Sequence, residues 1–453
     1  MAIFRRDRRP KRQPSDPAKA DLPRLGKKTG KKSPPRGLAE RPRGKAPGPK
    51  RSLTHVGGKV ETEGVAEEAQ KLAFALDVKA STDRDDDTTR FHVHGFHSYP
   101  ARMHPVTAQR LAAAFVPRGG RVLDPFCGSG TVLVEAMILG MKPTGLDLNP
   151  LAVRLAKLKT APRTDTELDH LVHQAEAVAE FAHARRKTKA GASRRFGLED
   201  IALFEPHVLL ELDSLALGIR ELGKDHARGD LELVLSSLLT RMSRRRGDTS
   251  EGAAPRRLAA GFVTRQFAGK ARELADRLRE FRNSLPSAAQ APASVRQGNA
   301  TKPAKLPGAP FDALITSPPY AATYDYADHH SVRLRWLGLD ATEMRRNEMG
   351  ARARYADIPA LAAAREWMGE LRSFLTAMAG QLAPGAPVIL LMADSAVGAS
   401  ALRANELVAK AARVCGFKPV ARASQARPHF HGPTAAAFRG RPRMEHALLL
   451  RKE

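Results

Sequence analysis

The segment Asp124-Pro-Phe-Cys-Gly-Ser-Gly130 constrains the fold of this chain more than any other, because of what flanks it. Before it, Arg121-Val122-Leu123-Asp124 reads as a short buried strand, and after it Thr131 to Leu139 has the spacing of an amphipathic helix. A strand that turns through Gly128 and Gly130 into a helix aims backbone N–H groups at whatever binds there. A further run, Pro143-Thr-Gly-Leu-Asp147, ends in an acid soon afterwards. That is where an α/β nucleotide fold carries the carboxylate that accepts from ribose hydroxyls. The expected class is therefore α/β, with a Rossmann-like parallel sheet.

A second segment, Thr316-Ser-Pro-Pro-Tyr320, follows another strand-like run, Phe311-Asp-Ala-Leu-Ile315. Its two prolines hold the turn rigid, and it presents a hydroxyl, backbone carbonyls and an aromatic face, which suits a flat amine. Taken singly, each signal is ambiguous. A glycine turn serves dinucleotides as readily as S-adenosylmethionine, and a lone Ser-Pro-Pro-Tyr is more often a polyproline-like turn. Their order along the chain, each after a β-like run and with Asp147 between them, narrows the reading to methyl transfer.

In these two blocks the chain resembles the DNA amino-methyltransferases that modify cytosine N4 or adenine N6. Phe96-His-Ser-Tyr-Pro-Ala-Arg-Met-His-Pro105, the glycine loop and Asp147-Leu-Asn-Pro150 are similar to the family's cofactor half. Thr316 to His330 is similar to its catalytic half. The resemblance implies an S-adenosylmethionine-dependent methyltransferase fold, with Phe96, Asp124, Phe126, Gly128, Gly130, Thr131, Asp147, Asn149 and Asn299 about the cofactor. It implies catalysis by Ser317, Pro318, Pro319 and Tyr320. Serine before the prolines is the form usual among N4-cytosine enzymes, so DNA cytosine N4 is the expected target, in DNA methylation of the restriction-modification kind. Adenine N6 is an alternative. A tRNA guanine-N2 methyltransferase, which faces the same planar amine, is the leading one. A catalytically silent nucleic-acid binder is a third class, disfavoured because both loops are retained.

The chemistry accounts for these residue types. An exocyclic amine delocalises its lone pair into the ring and is a poor nucleophile. Acceptors for both of its N–H groups, the Ser317 hydroxyl and the Pro318 carbonyl, would localise that pair on the nitrogen and aim it at the methyl. Tyr320 would stack on a base extruded from the duplex. Asp147 would accept from the ribose, Asn299 would bond the adenine amine, and Phe96 belongs to the segment that closes over the methionine end.

Charge agrees with a polyanionic partner. The 453 residues carry a formal +27, and residues 1–60 supply 19 Lys+Arg against 4 Asp+Glu, over half of that excess. From Arg5 to Lys50 there is no apolar periodicity, so the tail is expected to be disordered and to tether the chain to phosphates. The two cysteines, Cys127 and Cys415, argue against a disulfide framework. No apolar stretch of signal-peptide or membrane-spanning length occurs, so a cytoplasmic location is expected. Cys127 sits inside the cofactor loop without a Pro-Cys pair and is not read as a nucleophile. His92, His94, His97 and His104 lack a matching ligand set, and no metal is expected.

The organisation read from the chain is a basic tail (1–60), a linker (61–90), a cofactor-binding half (91–160), a helical insertion (161–294) and a catalytic half (295–453). Helical spacing marks Glu167 to Arg186, Pro206 to Leu222, Asp230 to Arg244 and Gly261 to Leu285. The insertion is a candidate target-recognition element. Arg241, Arg244, Arg245 and Arg246 at the end of one of its helices are the candidate phosphate contacts, although cations there also offset the helix dipole.

Overall fold

The computed structural model describes residues 58–78, 88–245, 257–287, 290–429 and 432–453. The expected tail, apart from residues 58–60, and Arg246 lie outside the described residues. Among the described residues there are ten strands: β1 (Glu61–Gly64), β2 (Arg121–Asp124), β3 (Lys142–Asp147), β4 (Ser294–Gln297), β5 (Ala313–Thr316), β6 (Pro387–Ala393), β7 (Ser395–Val397), β8 (Ser400–Leu402), β9 (Phe417–Ala426) and β10 (Met444–Lys452). Eight of them form one sheet in the order β1-β9-β10-β6-β5-β2-β3-β4, and β7 and β8 form a small hairpin.

The block β4-β3-β2-β5-β6 is parallel throughout. β10 enters antiparallel between β6 and β9, and β1 closes the edge antiparallel to β9. β2 and β5 are buried, as strands covered on both faces must be, which is why Val122, Leu123 and Ala313-Leu314-Ile315 read as continuous apolar runs. The chain order reverses at β2. One path runs outward through β3 and β4 and the other through β5 and β6, so the carboxyl ends of β2 and β5 part around a crevice where such sheets bind ligands.

Four helices lie close to the sheet in the first half: α1 (Ala66–Leu76), α2 (Pro105–Phe115), α3 (Thr131–Ile138) and α4 (Pro150–Lys159). Five more separate α4 from β4: α5 (Asp165–Lys187), α6 (Leu198–Leu203), α7 (Pro206–Glu221), α8 (Ala227–Met242) and α9 (Phe262–Ser284). These five pack on an apolar core that they share with α3 and α4, including Leu171, Leu212, Leu235, Phe267 and Phe281. Beyond β5, Ala360–Ala379 buries Trp367, Leu371 and Phe374 against the sheet.

Over the first part of 61–90, expected as a linker or a loose helix, the structure has an edge strand and a packed helix. β1 pairs with β9, and α1 buries Leu72, Ala75 and Leu76 against the sheet core. The strand escaped recognition because Glu61-Thr-Glu-Gly64 is exposed at every position, as an edge strand tolerates, and so shows no alternation. No helix among the described residues is long and apolar enough to cross a membrane.

Candidate active site

The two loops read from the sequence meet at the crevice. β2 and β5 are neighbours in register, Val122 opposite Ala313 and Leu123 opposite Leu314, so the residues that end them come together. Thr316 Oγ1 donates to Asp124 Oδ1 at 2.6 Å, and the Phe126 N–H donates to the same oxygen at 3.2 Å. Asp124 is buried, and burial pushes its carboxyl up to about 7 despite these bonds. It ties the cofactor loop to the catalytic loop.

The glycine loop needs its glycines for backbone reasons. Gly128 and Gly130 have φ of +50° and +87°, and a Cβ at Gly130 would lie 3.1 Å from Ala156 Cα on α4. The Asp147 carboxylate ends β3 and receives the Gly128 N–H on Oδ2 and the Asn149 N–H on Oδ1, both at 2.8 Å. Burial outweighs those bonds and raises its carboxyl to about 6. Asn149 caps α4, its Oδ1 accepting from Leu151 N at 3.0 Å, while Nδ2 donates to Tyr99 Oη at 3.2 Å.

These groups surround a cavity that reaches from the glycine loop to Asn299 and Ser317. Ser129 Oγ and Thr131 Oγ1, buried in its wall, have no hydrogen-bond partner among the described residues. Asn299 Oδ1 accepts from both Thr301 N (2.9 Å) and Thr301 Oγ1 (2.8 Å), which leaves its Nδ2 as the donor at that rim. Two orphaned hydroxyls, a carboxylate and an amide donor around an apolar slot fit a nucleoside joined to an amino acid. S-adenosylmethionine is such a molecule.

Ser317 lines this cavity and also a second, wider one, whose wall includes Tyr320, Tyr324, Arg443 and Glu445. Ser317 Oγ and Tyr320 Oη are 3.3 Å apart. Burial drives the Tyr320 phenol above its usual range, so it stays protonated. No hydrogen bond among the described residues uses the Pro318 carbonyl. Pro319 lines the first cavity, and Pro318 is buried behind it.

Of the expected cofactor residues, Asp124, Phe126, Gly128, Thr131, Asp147, Asn149 and Asn299 line the first cavity, and Gly130 shapes the loop behind it. Phe96 does not join them. Its ring is buried in the apolar core under the insertion, with Lys270 Nζ 5.3 Å from its centroid. Three residues on from it, Tyr99 occupies the wall common to both cavities, stacked on His330 with ring centroids 4.8 Å apart. An aromatic was expected in this segment, but only packing tells which one turns inward.

Sequence reasoning missed Glu348 altogether. Its Oε1 accepts from Tyr326 N at 2.5 Å and its Oε2 from Ala327 N at 3.3 Å, bracing the loop after Tyr320 beside the cofactor cavity. Burial raises its carboxyl to about 7. Nothing in Glu343-Met-Arg-Arg-Asn-Glu-Met349 signals this from spacing.

Arg241, Arg244 and Arg245 line neither cavity. Arg244 is paired with Glu205 at 3.0 Å. The Cys127 thiol is buried, and burial pushes it up, away from the thiolate. His92, His94 and Glu135 offer ligand atoms within 4.8 Å of one another. Burial, with the charges of Arg277 and Lys159 beside it, holds the His92 imidazole down to about 4.

The sheet and the site define the fold class, a Rossmann-like α/β fold of the S-adenosylmethionine-dependent methyltransferase type. The family model described as DNA methylase matches residues 67–158. The chain is 26% identical over 268 residues to the Type II methyltransferase M.MvaI of Kocuria varians, covering 55% of this chain and 59% of that one. It is 34% identical over 91 residues to the Type II methyltransferase M.MjaII of Methanocaldococcus jannaschii, 20% of this chain and 17% of that one. A 52-residue stretch, 11% of this chain, is 40% identical to the tRNA (guanine(10)-N2)-dimethyltransferase of Methanothermobacter thermautotrophicus, of which it covers 16%. The chain thus spans little more than half the length of the first relative. Over part of its length the chain is thus similar to the DNA methylase family and to Type II methyltransferases.

Proposed function

We propose that this chain is a DNA methyltransferase that methylates the exocyclic amine of a flipped base, with cytosine N4 as its target. The observation that carries the reading is the place of Ser317, a hydroxyl shared between the cofactor cavity and a wider cavity walled by Tyr320. When bound, S-adenosylmethionine supplies an electrophilic sulfonium methyl. Ser317 Oγ and the Pro318 carbonyl accept the two N–H groups of the amine, drawing its lone pair out of the ring. Tyr320 holds the base by its face. Asp147 keeps lone-pair capacity for a ribose hydroxyl beyond what the backbone N–H groups of Gly128, Leu148 and Asn149 take up.

The serine before the prolines favours cytosine over adenine. The short stretch shared with a tRNA guanine-N2 enzyme keeps that reading as second, and its substrate poses the same chemical problem. Mass spectrometry of nucleosides after reaction with isotopically labelled S-adenosylmethionine decides among them. N4-methylcytosine in duplex DNA is the expected product. Methylated guanosine in tRNA, with no product in DNA, overturns the DNA assignment.

Two predictions arise here. Replacing Asp147 with alanine weakens S-adenosylmethionine binding while leaving affinity for DNA largely intact. For the wild type, an Asp147 carboxyl near pH 6 makes cofactor affinity rise with pH through that value, because only the ionised form accepts two hydroxyl bonds. Calorimetry from pH 5 to 8 measures it, and Asp147→Asn loses the dependence. Unchanged affinity in Asp147→Ala removes the residue from the site. Separately, deleting residues 1–60 lowers DNA affinity and flattens its salt dependence, since their cations release counterions on binding. A slope that stays the same means the tail is no tether.

A further inference from the structure

The proposed substrate is a polyanion, so the surface that holds it needs cations the fold has not already neutralised. The helical insertion does not supply them. Residues 161–293 contain 22 Lys+Arg but also 19 Asp+Glu. Several of its surface arginines are paired: Arg163 with Asp230 at 3.0 Å, Arg272 with Glu176 at 2.7 Å and Arg279 with Asp165 at 2.9 Å. Such pairs brace helices and leave little net field.

The connection between β9 and β10 is different. Residues 427–443 carry arginines at 427, 439, 441 and 443, with no Asp or Glu. Tight hairpins close in a few residues, and a connection this long is usually functional. Its return is anchored at the end of β6, next to the catalytic strand. Asp394 Oδ2 accepts from Arg403 Nη1 at 2.8 Å and from Met444 N at 3.2 Å. Arg403 in turn donates to Pro442 O at 2.9 Å and Arg441 O at 3.0 Å.

That anchoring sets Arg443 in the wall of the Tyr320 cavity, with Nε fixed on Asp394 O at 3.0 Å. Among the described residues its two terminal nitrogens have no partner, and the exposed Arg439 side chain has none either. Arg441 has one exposed pairing, with Glu406 at 3.2 Å. A guanidinium held by Nε presents its other N–H groups as a fixed fork, the geometry that suits phosphate oxygens.

We infer that the β9–β10 connection, through Arg439, Arg441 and Arg443, grips the phosphate backbone of duplex DNA beside the base cavity. The helical insertion is then not the main phosphate-binding surface. The inference rests on the proposed function, whose nucleic-acid substrate it locates on the molecule.

The test uses the full chain and a fluorescein-labelled DNA duplex, with anisotropy read at several salt concentrations. The combined variant R439A/R441A/R443A binds at least about tenfold more weakly, and its salt slope drops by about one for each arginine removed. Lysine at the same three positions restores the slope, because the charge is what counter-ions respond to. Cofactor affinity measured on the alanine variant verifies that the sheet is intact. A slope unchanged in R439A/R441A/R443A overturns the inference, as does a slope lowered by R241A/R245A instead. Loss of tRNA binding with duplex binding retained overturns the choice of duplex. Wild-type protein that binds no nucleic acid overturns this inference and the proposed function together, whereas wild-type binding unaffected by the alanines overturns this inference alone.

Discussion

Tyr320→Ala lowers turnover on duplex DNA by about 5- to 150-fold, the worth of roughly 1–3 kcal/mol of base stacking, while S-adenosylmethionine binds as before. The ring faces the wide cavity and not the cofactor one, which is why the two readouts separate. Ser317→Ala loses one acceptor for the amine and costs turnover on the order of 10²-fold. Because Ser317 borders both cavities, its replacement is the more sensitive check that they communicate. Single-turnover kinetics at saturating cofactor measure both variants. These contacts matter once the base is out of the helix and the methyl is in transit, so the loss appears in turnover more than in cofactor affinity. Full activity in Tyr320→Ala removes the segment from the active site.

Lys159→Met raises the stability of the protein by about 1–3 kcal/mol at pH 7, the cost of a buried polar group left without a partner. Lys159 ends α4 with its side chain buried, and its Nζ has no hydrogen-bond partner among the described residues. Burial, reinforced by the charges of Arg102 and Lys270, holds its ammonium well below the usual range. The sign of the pH dependence follows. Below the unfolded lysine value the unfolded chain binds a proton that the fold releases, so wild-type stability climbs as pH rises towards that value, and the methionine variant lacks that climb. Thermal melts at pH 7 and pH 9 measure the difference, which narrows at the higher pH. A variant less stable than wild type at both values shows that Lys159 has a partner essential to the fold.

Both predictions depend on features that the sequence revealed unequally. The residues of the two loops were legible because each is a local device. A strand that stops at glycines with positive φ, or at two prolines, carries its signal within a few positions. Asp147 was legible for the same reason, as the acid that ends the next strand. Glu348 and Lys159 were invisible, because what matters about them is the loop one braces and the cations around the other. Phe96 and Tyr99 illustrate the limit within a single segment: an aromatic near the cofactor was readable, while its identity depended on which ring the insertion's core absorbed.

Local chain chemistry determined the α/β class, the turn after β2, the rigid turn after β5 and the helices of the insertion, since backbone preference and apolar period act over neighbouring residues. The tertiary structure decided what those pieces become. The register of β2 against β5 brings Asp124 to Thr316 across 192 residues of chain. The antiparallel entry of β10 carries Arg427 and Arg443 to the Tyr320 cavity, and ion pairing neutralises several arginines of the insertion, Arg244 and Arg272 among them. Charge and hydroxyl groups act through space over a few ångströms, and that distance is set by packing.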